Sequence, residues 1–229
     1  MKLLAPLAAI IVAFGAATVL GQGEIAPKSG YDFLTPENQA LQDDDFANPG
    51  MLWVETGAAL WNEDCASCHA EGSMRGIAAR YPQWDEKLGR VINLEQRIND
   101  ERQTRLGLPP LEYESEALLG LTAYIGNQSK GMPIEVTVDG PAAGSFERGR
   151  DFFYTRRGQL DLSCASCHEQ HVGDHLRAET ISQGQTNGFP IYRALWQTMG
   201  STHRMFAWCN EAVRAEPYPL GSQEYVDLE

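Results

Sequence analysis

The pentapeptide Cys-Ala-Ser-Cys-His occurs twice, as Cys65–His69 and again as Cys164–His168. Nothing else in the chain restricts its fold so tightly. Two thiols at this spacing reach two vinyl groups on one porphyrin edge and close thioethers, and the adjoining histidine is then carried beneath the iron. A CxxC redox pair or a four-cysteine zinc site uses the thiols but gives no reason for a histidine after both pairs. The motifs therefore predict two covalently bound c-type haems. Cys65, Cys68, Cys164 and Cys167 are the attachment points, and His69 and His168 the iron ligands.

The sequence around the motifs repeats. At the offset that carries Tyr81-Pro82 onto Phe189-Pro190, Trp84 meets Tyr192, Pro109 meets Pro217 and Glu116 meets Glu224. Upstream, Gly57-x-x-x-Trp61 resembles Gly149-x-x-x-Phe153, but the second copy carries extra residues, Thr155 to Leu162, before its motif. The expected fold is mainly α, with two tandem cytochrome c-like haem lobes joined by a Gly/Pro-rich linker. The boundaries are 51–130 for the first lobe, 131–144 for the linker and 145–229 for the second lobe, with 23–50 as an extended arm. Leu52, Trp53, Thr56, Ala59 and Leu60 recur near helical spacing ahead of the first motif. Ser115 caps a helix running to about Gly126, and Ser222 starts its counterpart, which stops at Glu229. Such lobes close by packing the last helix over the first, so the second is expected to be poorly closed.

Residues 1–22 read as a secretory signal: Lys2, an uncharged run from Leu3 to Leu20, then the small residues of Gly21-Gln22-Gly23. A retained membrane anchor is the alternative reading of the same run. Export to the periplasm suits c-type haem, which is attached outside the cytoplasm. With 18 Lys and Arg against 31 Asp and Glu, the formal net charge of −13 excludes nucleic acid as a partner.

The fifth cysteine, Cys209, falls where the first copy has Glu101. A thiolate is a strong, soft donor, so Cys209 is the candidate sixth ligand of the second haem, against the plainer reading of a buried free thiol. The first haem is open or is capped by Met74, Met132 or Glu101; the residues alone do not choose. Arg204, five positions before Cys209, is the preferred contact for an anion, because its planar fork donates paired hydrogen bonds to oxyanions. Arg177, Arg193 and Arg214 are further candidates. His171 and His175 read as solvated loop, His203 lies near the active face, and the five tryptophans read as core or haem packing.

Several segments resemble the SoxA family. They are Gly158-Gln159-Leu160-Asp161-Leu162-Ser163 with the motif after it, Ile181-Ser182-Gln183-Gly184-Gln185, Gly188-Phe189-Pro190-Ile191-Tyr192-Arg193, Cys209-Asn210 through Val226, and Asn93-Leu94-Glu95-Gln96-Arg97-Ile98-Asn99. The resemblance implies the catalytic subunit of a periplasmic complex with a SoxX-like monohaem cytochrome. That complex joins thiosulfate oxidatively to a cysteine of a SoxYZ-like sulfur carrier and passes two electrons to cytochrome c. It also implies that Cys209 ligates the active-site haem and can carry a persulfide. The chain departs from the family at Glu101, where diheme members usually have cysteine, at Met205 and Ala207, where arginines are common, and in its short last helix. Two rival functions remain: a diheme electron carrier without substrate chemistry, and a thiosulfate dehydrogenase that forms tetrathionate.

Overall fold

The computed structural model describes residues 26–229, so the signal segment over 1–22 lies outside the described residues. Among these residues no helix is long and apolar enough to cross a membrane. The chain begins with a 3-10 turn at Gly30–Phe33 and the helix α1, Pro36–Asp43. Thr35 caps α1 and Pro36 opens it, a start that needs no tertiary support. The extended arm expected over 23–50 is thus corrected: local capping chemistry folds part of it. Ahead of α1 the chain is pinned to residues 183–187, with the Lys28 amide donating to Gln183 Oε1 at 2.6 Å and Asn187 donating to Ser29.

Two halves then follow that share a helix, a β-hairpin and two further helices in the same order, the second adding a one-turn helix and a small hairpin. The first runs through α2 (Met51–Leu60), the hairpin β1–β2 (Gln83–Asp85 with Arg90–Ile92), α3 (Leu94–Leu106) and α4 (Glu116–Asn127). The second runs through α5 (Ala143–Tyr154), the one-turn helix α6 (Cys164–His168), the small hairpin β3–β4 (His175–Leu176 with Glu179–Thr180), the hairpin β5–β6 (Ile191–Arg193 with Thr198–Gly200), α7 (Thr202–Ala212) and α8 (Gln223–Leu228). The register of β5–β6 repeats that of β1–β2 residue for residue at the offset found in the sequence. Both hairpins follow a cis X–Pro peptide, Tyr81–Pro82 and Phe189–Pro190. Asn93 caps α3 and Ser201 caps α7, each by accepting a backbone amide at about 3 Å. Ser115 caps α4 in the same way.

Each half is closed by a helix crossing at a glycine. A Cβ on Gly57 of α2 would stand 1.9 Å from the Gly120 carbonyl oxygen of α4, and one on Gly149 of α5 would stand 1.8 Å from the Asp227 oxygen of α8. Only a residue without a side chain lets the backbones approach so closely. The Gly57/Gly149 match in the repeat is therefore the crossing point itself. The expected poor closure of the second half does not occur. Six residues of α8 suffice to bury Tyr225 and Val226 against α5, and Ser145 and Arg148 of α5 hydrogen-bond Asp227.

The interiors differ. In the first half Trp61, Leu94, Ile98, Leu118, Leu121 and Ile125 form one apolar core. In the second, the space under α8 is filled by Phe152, Phe206, Tyr218, Tyr225 and His203, with ring centroids 5.4–6.2 Å apart. The halves meet at repeat-related positions. Tyr113 stacks on His203 at 5.6 Å, and its ring fills the space over Gly221, its own counterpart. Glu95, the counterpart of His203, is buried beside the same joint.

Candidate haem-iron centre

The second motif is presented by α6. Ser163 caps it, and Ser166 reciprocates in a capping box, so Cys164, Cys167 and His168 are fixed on a single turn. His168 Nδ1 lies 2.9 Å from the Ser182 carbonyl oxygen. A carbonyl only accepts, so Nδ1 holds the proton and the Nε2 lone pair is left for a metal. Gly184, at φ +78°, lies against the ring, where a Cβ would be 3.0 Å from His168 Cγ. The backbone of 182–184 thus orients and supports the imidazole, and the donor set fits a covalently held haem.

Cys209 lies midway along α7, half-buried. Burial pushes its thiol up to about 12; Cys164 adds to the rise, Arg193 opposes it, and Cys167 and Glu179 raise it further. Cys164, Cys167 and Arg193 lie near enough to act on its charge, so Cys209 shares one neighbourhood with the attachment thiols of α6. The oriented imidazole of His168 shares one turn with Cys164 and Cys167, and Cys209 lies in their neighbourhood.

Arg193, rather than Arg204, is the cation that acts on Cys209. Its guanidinium lies 5.1 Å from the Trp208 ring centroid and 5.3 Å from that of Trp196, bonds Glu179, and reaches Met205 Sδ at 3.5 Å. Arg204, the arginine preferred from sequence, stacks on Trp196 at 4.5 Å and points Nη1 toward Glu114 of the first half, 3.5 Å away. The Arg193 signal was available in the sequence only as part of the Gly188–Arg193 match, because β5–β6 has to fold before it approaches α7. His203 is fully buried at the joint rather than on an open face. Its Nδ1 accepts from the Gly221 amide at 2.9 Å, and Nε2 lies 3.2 Å from Glu229 Oε2. His171 and His175 are exposed, and His171 pairs with Asp174 at 2.9 Å.

The first motif is set differently. Cys65 closes a π-helical turn, Trp61–Cys65, that extends α2, while Cys68 is exposed. His69 packs at 5.4 Å against Trp61. Among the described residues no carbonyl bonds His69 as Ser182 bonds His168. Glu101, at the Cys209 position, is tied along its own helix to Arg97 at 3.7 Å and Arg105 at 3.4 Å. Met74 packs on the apolar core, and Met132 is largely exposed.

Comparison with known proteins agrees with this geometry. Residues 52–134 match the family model for the SoxA/TsdA cytochrome c domain, which makes the fold a helix-rich c-type cytochrome domain carrying covalently bound c-type haem. The L-cysteine S-thiosulfotransferase subunit SoxA of Rhodovulum sulfidophilum is 43% identical over 211 residues, spanning 88% of this chain and 74% of the relative. The same-named subunit of Pseudaminobacter salicylatoxidans is 42% identical over the same shares. The crystal structure of SoxXA from P. pantotrophus superposes with a TM-score of 0.85 at 39% identity, covering 89% of this chain and 80% of that one. The chain belongs to the SoxA family.

Proposed function

We propose that the protein is the catalytic subunit of an L-cysteine S-thiosulfotransferase, that it joins thiosulfate to a cysteine of a SoxYZ-like carrier, and that it works in the periplasm beside a SoxX-like cytochrome. The names of its relatives support the activity, and the SoxXA match supports the partner. In the overall reaction a carrier thiolate and thiosulfate form one S–S bond and release two electrons. The haems supply one-electron acceptance, and cytochrome c takes the electrons onward. Two haems, one in each of two tandem lobes, are the reading of the doubled motif, supported by the repeated element order.

The single observation that carries the assignment is the His168 imidazole, oriented by the Ser182 carbonyl at 2.9 Å on the same turn as Cys164 and Cys167. His168 and Cys209 are the proposed axial ligands, with Ser182 and Gly184 holding the imidazole in place. Arg193 supplies the positive charge that draws a dianion toward the Cys209 sulfur, and Glu179 keeps its fork oriented. Loss of two electrons, one at a time to the haems the motifs would hold, would join the Cys209 thiolate to the sulfane sulfur of thiosulfate as Cys209–S–S–SO3; the carrier thiolate would then attack that sulfane sulfur, taking the S–SO3 group and releasing the Cys209 thiolate.

Replacing Cys209 with alanine tests the assignment. Carrier- and thiosulfate-dependent reduction of cytochrome c is expected to fall by at least about 100-fold with both haems retained. Undiminished turnover contradicts it. Product analysis without the carrier separates the dehydrogenase alternative, which alone yields tetrathionate.

A further inference from the structure

The extra segment that interrupts the repeat, Thr155 to Leu162, has no counterpart in the first half, and no role in holding the imidazole or Cys209 falls to it. In the structure it forms a tight loop closed by Arg157 and Leu162, whose backbones exchange hydrogen bonds of 3.0 and 3.2 Å. The loop is pressed onto the chain that leaves α7. A Cβ on Gly158 would stand 2.2 Å from the Val213 oxygen, and the amides of Gln159 and Leu160 donate to Arg214 and Val213. Between the two segments lies an open cavity of about 620 Å³ bordered by Arg157, Gln159, Arg214, Glu216 and Tyr218. A second depression of about 470 Å³ shares Arg157 and Tyr218 and adds Arg148 and Arg156.

In a chain of net charge −13, the four arginines bordering these depressions are matched by Glu216 and Asp151 in the lining and by the ion-pair partners Asp227 and Asp161, so what distinguishes the site is which arginines are left unpaired. Arg148 and Arg156 are paired, with Asp227 and Asp161. Arg157 and Arg214 form no ion pair among the described residues. Arg157 is held instead by two aromatic faces, 4.2 Å from the Phe152 centroid and 4.8 Å from that of Tyr218, which fix its position and leave its charge uncompensated. Glu216 is the only acid bordering the larger cavity. Exposed apolar and aromatic surface lies beside the arginines, with Leu160 45% and Tyr154 53% exposed. Arginine and tyrosine set beside apolar surface are the composition of a protein interface, and the cavity is far larger than a four- or five-atom oxyanion needs.

The loop also ends at the motif. Leu162 is followed by the cap Ser163 and then Cys164, the first residue of the second motif. A partner seated in this groove therefore lies against the loop that leads directly into the second motif.

We propose that the Thr155–Leu162 loop and residues 213–219 form a docking groove for an acidic segment of a partner protein, which Arg157 and Arg214 engage just ahead of the second motif. The docking chemistry does not depend on the thiosulfotransferase activity.

A fluorescent polyglutamate peptide of about 20 residues, titrated into the haem-loaded protein at low salt, tests the groove by anisotropy. Saturable binding that weakens steeply with added salt is expected. Arg214→Gln, at an exposed position, should weaken binding by about 3- to 10-fold, and a further Arg157→Gln should remove it. The paired lysine variants should keep most of it. Haem content and absorption spectrum report that each variant has folded, and if Arg157→Gln fails that check, Arg214→Gln alone decides. Unchanged affinity in the folded glutamine variants overturns the proposal. So does displacement of the peptide by sulfate well beyond that by chloride at matched ionic strength, which marks a small-oxyanion pocket instead.

Discussion

The two halves use one plan with different fillings. The first packs six apolar side chains into a single core, ties Glu101 into arginine pairs along α3, and leaves Cys68 exposed. The second replaces most of that core with aromatic rings and histidine, holds His168 by a carbonyl, and has the half-buried Cys209 at the Glu101 position. An apolar core stabilises in proportion to the area it buries, at about 25 cal/mol per Å², and it also tolerates imprecision. A polar, hydrogen-bonded interior fixes directions, and directions are what a ligand set requires. The first half is thus built for stability, and the second for holding particular atoms in place.

The largest effects should come from breaking the crossings that both halves share. Alanine at Gly57 or at Gly149 puts a methyl within 2 Å of a backbone carbonyl, which no side-chain adjustment relieves. Each variant should lose about 3 kcal/mol or more, seen as a lower thermal midpoint of the haem-loaded protein. The loss should be greater for Gly57, whose crossing carries the apolar core. Equal midpoints for parent and variants would mean that the crossings are not the closure of either half.

A smaller effect is expected at the joint. Burial, with the nearby charges of Glu229 and Glu114, raises the Glu95 carboxyl from 4.5 to about 8. Folding therefore favours its protonated form. The associated stability is fully present below about pH 4.5 and is lost as pH rises toward 8. The charged groups that act on it are Glu229 and Glu114. Glu95→Gln should flatten that part of the stability profile and gain about 1–3 kcal/mol near pH 8.5, measured by denaturant unfolding at a series of pH values. A parallel profile for the variant would contradict the raised carboxyl.

The smallest effect on stability, and the sharpest on the comparison, concerns Glu101→Cys. The substitution removes two exposed helix pairs and should change stability by less than about 1 kcal/mol. If α3 sets position 101 near the first motif as α7 sets Cys209 near the second, the variant gains a second iron–thiolate absorption signature. An unaltered spectrum would show that the two helices differ in rotation as well as in sequence.

Much of this was legible in the sequence because it is local or repeated. The doubled motif, the offset tying Tyr81-Pro82 to Phe189-Pro190, the Ser115 cap and the Gly57/Gly149 match all reappear in the structure as hairpins, helices and crossings. Contacts made only by docking one element on another were not legible. Arg204 looked like the anion contact because it is near Cys209 in sequence, yet it spans to Glu114, while Arg193 arrives from another hairpin. His203, expected near the active face, is instead enclosed by Tyr113, Tyr225 and Glu229, residues drawn from both halves. The arm over 23–50 was taken as extended because its charge masks a short capped helix.

The central claim is that the sulfur of Cys209 binds the iron held by His168. Low-temperature electron paramagnetic resonance of the oxidised protein measures it directly. A low-spin ferric signal with the narrow g-spread of a histidine–thiolate pair should be present in the parent and absent from Cys209→Ala, with the signal of the other haem unchanged. A spectrum without that component, or one that the substitution leaves intact, contradicts the claim.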